Sequence, residues 1–423
     1  MLPRSEGYGG SPGGRALHGP AYPVRAIPAS HEIVTSLSRL VVTGLEGPRL
    51  DARTRRRLER LAPGGVILFK RNVGDPGDLR EMTRDLRRIL GPKAIISLDQ
   101  EGGRVQRLRA PFGEWPPMRR IGATCDASLV RAVGQAIGRD VAAAGFDCDF
   151  APVLDVDSNP ANPVIGDRSF HSDPRTVARL SLAFAGGLYD AGVIACGKHF
   201  PGHGDTEVDS HLALPVVRRE ARELARLELA PFRAAIRARL PMLMTAHVVY
   251  TALDPERPAT LSPAILHELL RKRLRFEGVV VSDDLAMHAL DAFGSPAELG
   301  VAAVRAGCDL LLACRSLDDA EVIASGLDDA LRSGRIEPRR AADSLRRLAV
   351  LHRTGRRRGV QRPDLQAFLR RREYEPLLAR LAALEARRAA SNGPARPGRR
   401  PDRTAARRTG SARRAVDPTT FRA

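Results

Sequence analysis

Five side chains able to move protons or bind a metal crowd one stretch of the chain. It reads Lys198-His199-Phe200-Pro201-Gly202-His203-Gly204-Asp205-Thr206-Glu207-Val208-Asp209-Ser210-His211. His199, His203, His211, Asp205 and Asp209 fall within 13 residues. An Asp two positions from a His can orient the imidazole and tune its basicity, which makes Asp209 and His211 a proton-transfer pair. Two other readings stay open: zinc ligation, although the spacing matches no common zinc pattern, and ordinary loop hydrogen bonding. Pro201, Gly202 and Gly204 suit a shaped loop.

A second carboxylate source is Ser282-Asp283-Asp284-Leu285, preceded by the apolar Val279-Val280-Val281. Successive residues of an extended chain face opposite ways. One of the two carboxylates therefore faces a pocket, assigned to Asp283, and Asp284 is structural or caps the next helix. A third segment, Asp99-Gln100-Glu101-Gly102-Gly103-Arg104-Val105-Gln106-Arg107, sets charged groups around a glycine pair. Donors and acceptors of that kind suit a hydroxyl-rich ligand. In the fourth, Ile165-Gly166-Asp167-Arg168-Ser169-Phe170, Arg168 could reach a substrate oxygen or simply lie on the surface. There is no GxGxxG or Walker glycine pattern, so no cofactor is expected. No metal is expected either.

These segments need elements to bring them together. Short apolar runs at Leu40–Gly44, Gly65–Phe69, Ala94–Asp99, Cys148–Asp155, Ile194–His199, Leu243–His247, Val279–Asp283 and Asp309–Ala313 predict eight strands. Amphipathic stretches separate or follow them at Asp51–Leu61, Pro76–Leu90, Ser128–Ala144, Pro174–Ala191, Glu220–Ala238, Pro263–Leu274, Ser295–Ala306 and Asp318–Arg332. Strict strand–helix alternation predicts a parallel sheet, and eight units predict an α/β fold closed into a single (β/α)₈ TIM-type barrel. Asp99, Asp155, Lys198, His199, His247 and Asp283 all fall at carboxyl ends of predicted strands. In a barrel those ends share one face, where active sites are built.

Composition supports this frame. Of 423 residues, 43% are hydrophobic and only 4% aromatic, so the core must be mostly aliphatic. The formal charge is +19, but residues 387–423 hold eleven Arg against two Asp, roughly half the excess. Residues 1–30 and 356–423 are therefore expected to flank a catalytic domain at 31–355, the first as a disordered segment and the second as a basic, partly helical and then disordered tail. Such a tail is a possible nonspecific partner for anionic polymers. Five scattered Cys fit a reducing compartment. No secretory h-region and no run of about 18 apolar residues is present, so neither export nor a membrane span is expected.

Taken together, the strings Asp99–Arg107, Phe150–Val156, Ile165–Phe170, Lys198–Gly204 with Asp209-Ser210-His211, and Ser282–Leu285 resemble the bacterial β-N-acetylhexosaminidases of glycoside hydrolase family 3, the NagZ type. The likeness runs from Ile33 to Leu351 and leaves out both ends. It implies a monomeric cytoplasmic enzyme that releases terminal β-linked N-acetylglucosamine from muropeptides with retention of configuration. It implies Asp283 as nucleophile, His211 as acid/base, Asp209 as its partner, and substrate contacts from Asp99, Arg107, Arg168, Lys198 and His199. Family 3 β-glucosidases and β-xylosidases share the Lys-His and Ser-Asp strings, but Asp209-Ser210-His211 and the lack of a second α/β domain favour the hexosaminidase branch. A neutral His base repels anions less than a carboxylate does, so phosphate could compete with water as the acceptor.

Overall fold

The structure, a computed structural model, describes residues 36–207, 214–355, 359–371 and 374–391. The segments expected to be disordered, 1–30 and most of the Arg-rich tail, lie outside the described residues, as do Asp209 and His211.

Eight strands close a barrel: β1 (Val41–Gly44), β2 (Gly65–Ile67), β3 (Ile95–Leu98), β4 (Cys148–Asp149), β5 (Ile194–Phe200), β6 (Met242–Thr245), β7 (Val279–Asp284) and β8 (Leu310–Ala313). Each pairs in parallel with its neighbours in sequence, and β8 pairs with β1 to complete the ring. Every residue of β1, β2, β3, β6 and β8 is buried. That is why these strands read as continuous apolar runs rather than alternating ones: side chains fill the barrel on one face and meet helices on the other.

The helices are α1 (Ala52–Leu61), α2 (Pro76–Leu90), α3 (Ala127–Ala144), α4 (Pro174–Asp190), α5 (Leu229–Arg237), α6 (Ala264–Arg273), α7 (Pro296–Ala306) and α8 (Leu317–Arg332). Their starts follow local chemistry. Asp51, Asp75, Asp126 and Asp173 accept first-turn N–H groups, and Ser295 with Glu298 forms a capping box at α7.

Three details depart from the sequence expectations. The fourth strand stops at Asp149 instead of Asp155, because Pro152 has no N–H to give to the ladder. Its continuation still lies alongside β5: the Leu154 N–H donates to Lys198 O at 2.6 Å. The single helix expected over Glu220–Ala238 is two, Ala221–Arg226 and α5, with buried Glu228 at the join. Val216–Val217, Val249–Tyr250 and Asp254–Pro258 form a separate small sheet, in segments where the sequence predicts no strand.

Beyond the barrel, α9 (Pro338–Thr354) and α10 (Glu375–Ser391) complete the described chain. Arg362 donates to Gly145 O and Asp147 at the base of β4, both at 2.5 Å. Tyr374 meets Trp115 edge-on at 6.5 Å, and Glu385 pairs with Arg120. The described residues after 359 thus pack beside the loops that flank α3. No described helix is long and apolar enough to cross a membrane.

Candidate active site

The carboxyl ends of the strands surround a cavity of about 970 Å³, counting its open mouth. Asp99, Arg107, Arg168, Lys198, His199 and Asp283 all line it, alongside apolar Phe69, Met244, Met287 and Leu312. The barrel thus brings six of the eight residues singled out in sequence to one cavity. The other two, Asp209 and His211, lie outside the described residues.

Lys198, at the end of β5, is buried in the cavity floor. Its Nζ lies 2.8 Å from Asp99 Oδ1 and 2.7 Å from Glu101 Oε1. Asp99 also takes Arg107 at 3.1 Å, and Glu101 takes the Arg168 guanidinium through two bonds of 2.8 and 2.9 Å. The result is a chain of alternating charge, Arg107–Asp99–Lys198–Glu101–Arg168. Burial by itself raises the pKa of both carboxyls, but the adjacent cations outweigh it. Lys198 and Arg107 hold Asp99 below its usual value, and Arg168 and Lys198 hold Glu101 far below. Burial likewise acts to lower Lys198, and Asp99 and Glu101 reverse that, keeping the ammonium charged. The chain sets donors and acceptors at fixed positions for hydroxyl and amide groups of a ligand.

The loop carrying Arg107 is stapled from below. The Gln100 side-chain oxygen accepts the N–H groups of Arg107 and Leu108 at 2.8 and 2.9 Å, and its amide donates to Leu108 O at 2.9 Å. Asp149 in turn accepts the Gln100 N–H at 2.9 Å.

His199 is oriented by Asp155: its Nδ1 donates to Oδ2 at 2.7 Å. Asp155 also accepts the backbone N–H groups of His199 and His203. His203 is buried, and burial with His199 close by pushes its pKa down to about 4. It stays neutral at physiological pH, with Nδ1 2.8 Å from Thr206 Oγ1.

At the end of β7 the adjacent aspartates diverge. Asp284 Oδ1 accepts the N–H groups of Cys314 and Ala286 at 3.0 and 3.1 Å, and burial raises its pKa. Among the described residues, Asp283 Oδ1 accepts the N–H of Asp284, at 2.8 Å. Burial would raise Asp283 as well, but His247, His199, that N–H and Lys198 together bring it below its usual value. It is a buried, ionised carboxylate on the cavity wall, a state suited to nucleophilic attack. His247 braces this strand end: its Nε2 lies 2.9 Å from Asp284 O and its Nδ1 2.7 Å from Thr260 Oγ1.

Sequence reasoning assigned no role to Glu101 or His203, although both stood inside strings it had singled out. Glu101 in particular is signalled only by pairing, since its partners are 67 and 97 positions away. Among the described residues, no group of three or more His, Cys, Asp or Glu is placed to hold a metal ion.

Comparison with known proteins gives the family. Residues 32–351 match the glycosyl hydrolase family 3 N terminal domain. The chain is 39% identical over 340 residues to a β-hexosaminidase of Methylococcus capsulatus, covering 80% of this chain and 97% of that one. It is 38% identical over 317 residues to a β-hexosaminidase of Nitrosomonas eutropha, covering 73% and 90%. A crystal structure of NagZ from Neisseria gonorrhoeae in complex with N-trifluoroacetyl-D-glucosamine superposes with a TM-score of 0.68 at 34% identity, over 82% of this chain and 98% of that one. The chain belongs to glycosyl hydrolase family 3, within its β-hexosaminidase branch.

Proposed function

We propose that this enzyme is a retaining exo-β-N-acetylglucosaminidase working through a covalent glycosyl-Asp283 intermediate. The observation that carries the reading is Asp283 itself: a carboxylate held ionised, with one backbone N–H on it, facing the cavity that Asp99, Lys198, Glu101 and Arg168 furnish. An ionised carboxylate at that point can attack the anomeric carbon of a terminal sugar while an acid protonates the departing oxygen. Asp99, Arg107, Lys198, His199 and Arg168 hold the sugar through its hydroxyl and acetamido groups.

His211 takes the acid role, with Asp209 favouring its protonated form. Imidazole titrates near neutrality without a large shift. After the glycosyl-Asp283 ester forms, neutral His211 takes a proton from water, and that water releases the sugar with its β configuration restored. The substrates are muropeptides carrying terminal N-acetylglucosamine, in the cytoplasm. Likeness to the β-hexosaminidases supports the N-acetylhexosaminide part of this choice. The Arg-rich residues after 391 are an accessory for anionic polymers.

The test uses 4-nitrophenyl β-N-acetylglucosaminide. Asp283→Ala should cut kcat by several orders of magnitude, on the scale of about 10⁴-fold or more, with the fold intact by circular dichroism. Near-normal release by the variant would refute the assignment. Equal turnover of the matching β-glucoside by the wild type would refute the specificity, and products analysed with and without phosphate identify the acceptor.

A further inference from the structure

We infer that the ion pair between Asp205 and Arg219 is a positioning clasp that fixes the spacing of the two stems flanking the stretch with Asp209 and His211. The inference rests on the reading of His211 as the acid/base group and adds to it two residues with no direct contact to substrate.

Asp205 and Arg219 stand on either side of the stretch that contains Asp209 and His211, fourteen positions apart. Arg219 Nε lies 2.6 Å from Asp205 Oδ2, and a terminal nitrogen of the same guanidinium lies 2.6 Å from Oδ1. This is the fork-on-fork geometry that fixes direction as well as distance. Both side chains are largely buried, 16% and 21% exposed, so water screens the pair less than it would an open surface bridge.

Each stem is separately anchored. On the incoming side, the Asn162 amide donates to His203 O, Gly204 O and Thr206 Oγ1 at 2.8 to 3.1 Å. Gly204 passes so close to Val156 O that a Cβ there would lie 1.7 Å from it. On the outgoing side, Val216 and Val217 pair with Val249 and Tyr250. Tyr250 also serves the first stem, since its hydroxyl donates to Gly202 O at 2.6 Å. The Asp205–Arg219 pair ties the two stems directly. It acts shortly before the acid–base stretch and shortly after its end.

The physical consequence is narrow. Thirteen residues separate the two partners, too many for local backbone preference to place one imidazole. Proton transfer demands placement within hydrogen-bond reach, and a misplacement of about 1 Å can cost on the order of 10²-fold. Losing the clasp should therefore damage the step that needs the acid and spare the binding of the sugar, which uses groups on β3, β5 and the Arg168 turn.

The experiment measures steady-state kinetics of Asp205→Ala, Arg219→Ala and the exchanged pair Asp205→Arg/Arg219→Asp. The substrates are aryl β-N-acetylglucosaminides of graded leaving-group acidity, and His211→Ala is the reference. The single variants should lose about 10-fold or more in kcat/KM on poor leaving groups and less than about 3-fold on the most activated one. KM should change little, and the exchanged pair should recover part of the loss. A merely structural role would lower all substrates alike, and that result, or no loss at all, overturns the clasp. If either alanine variant does not accumulate, Arg219→Lys keeps the charge, loses the fork and serves the same comparison. His211→Ala separates the two readings. Leaving-group dependence there but not in the Asp205 and Arg219 variants removes the clasp alone. Its absence in His211→Ala removes the acid–base assignment and the clasp with it.

Discussion

Glu101 is buried on the cavity wall, and its carboxylate takes the Lys198 ammonium and both arms of the Arg168 guanidinium. Its charge is what lets two buried cations share a cavity wall. Glu101→Gln preserves shape and removes that charge, leaving Lys198 with Asp99 alone and Arg168 without its anion. Breaking a buried pair at one partner costs about 3–5 kcal/mol because the survivor is left uncompensated. The variant should lose stability on that scale. It should also raise KM for the aryl glycoside by about 10-fold or more, because both sugar-facing cations lose their anchor. Unchanged KM in a folded variant would show that Glu101 is only a structural ion pair.

Among the elements, the two ends of the barrel divide the work. The carboxyl ends hold the cavity, and the amino ends hold carboxylates that tie helices to strands. Asp309, just ahead of β8, is completely buried and takes Arg271 of α6 together with Arg340, Arg347 and Ser344 of α9. It also accepts the Val280 N–H at 3.0 Å. Burial raises its pKa, and Arg271, Arg347 and Arg340 more than reverse that, leaving it below the usual value. A depressed carboxylate pKa adds stability above the unfolded-state pKa, and that stability is lost as pH falls through the folded one. Asp309→Asn should therefore lower the free energy of unfolding in urea at pH 7 by about 3 kcal/mol. It should leave kcat and KM within about 2-fold, because conserved function in barrels sits at the opposite face. A kinetic effect as large as that of Glu101→Gln would contradict this division.

For the molecule as a whole, pH enters through Glu228, buried where α5 begins. Burial pushes its pKa from 4.5 up to about 7, with Asp155 and Asp205 adding to the rise and Ser158 and Arg219 opposing it. One carboxyl oxygen accepts Ser158 Oγ at 2.8 Å, and the other has no hydrogen-bond partner among the described residues. A raised carboxyl pKa means the folded state holds a proton that the unfolded state has released. Stability is thus undiminished below about pH 4.5, falls as pH rises toward 7 and stays reduced above it. Glu228→Gln removes this penalty. In denaturant unfolding it should gain on the wild type between pH 5 and pH 8, by up to about 3 kcal/mol at the upper end. The same difference at both pH values would mean that Glu228 is ionised throughout.

The sequence alone carried the alternation of eight apolar strands with amphipathic helices, because burial on both faces, caps and helical periodicity are local properties of the chain. It also placed Asp99, Lys198, His199 and Asp283 at strand ends, and barrel closure turns those ends into one cavity. Tertiary structure decided what local pattern cannot express. Pro152 shortened the fourth strand because a ladder needs a donor at that register. The helix read over Glu220–Ala238 broke at Glu228, which the fold buries. Lys198 meets Glu101 and Arg219 meets Asp205 only because particular strands and loops lie side by side. Such pairing depends on the register in which the barrel closes, and spacing along the chain does not encode it.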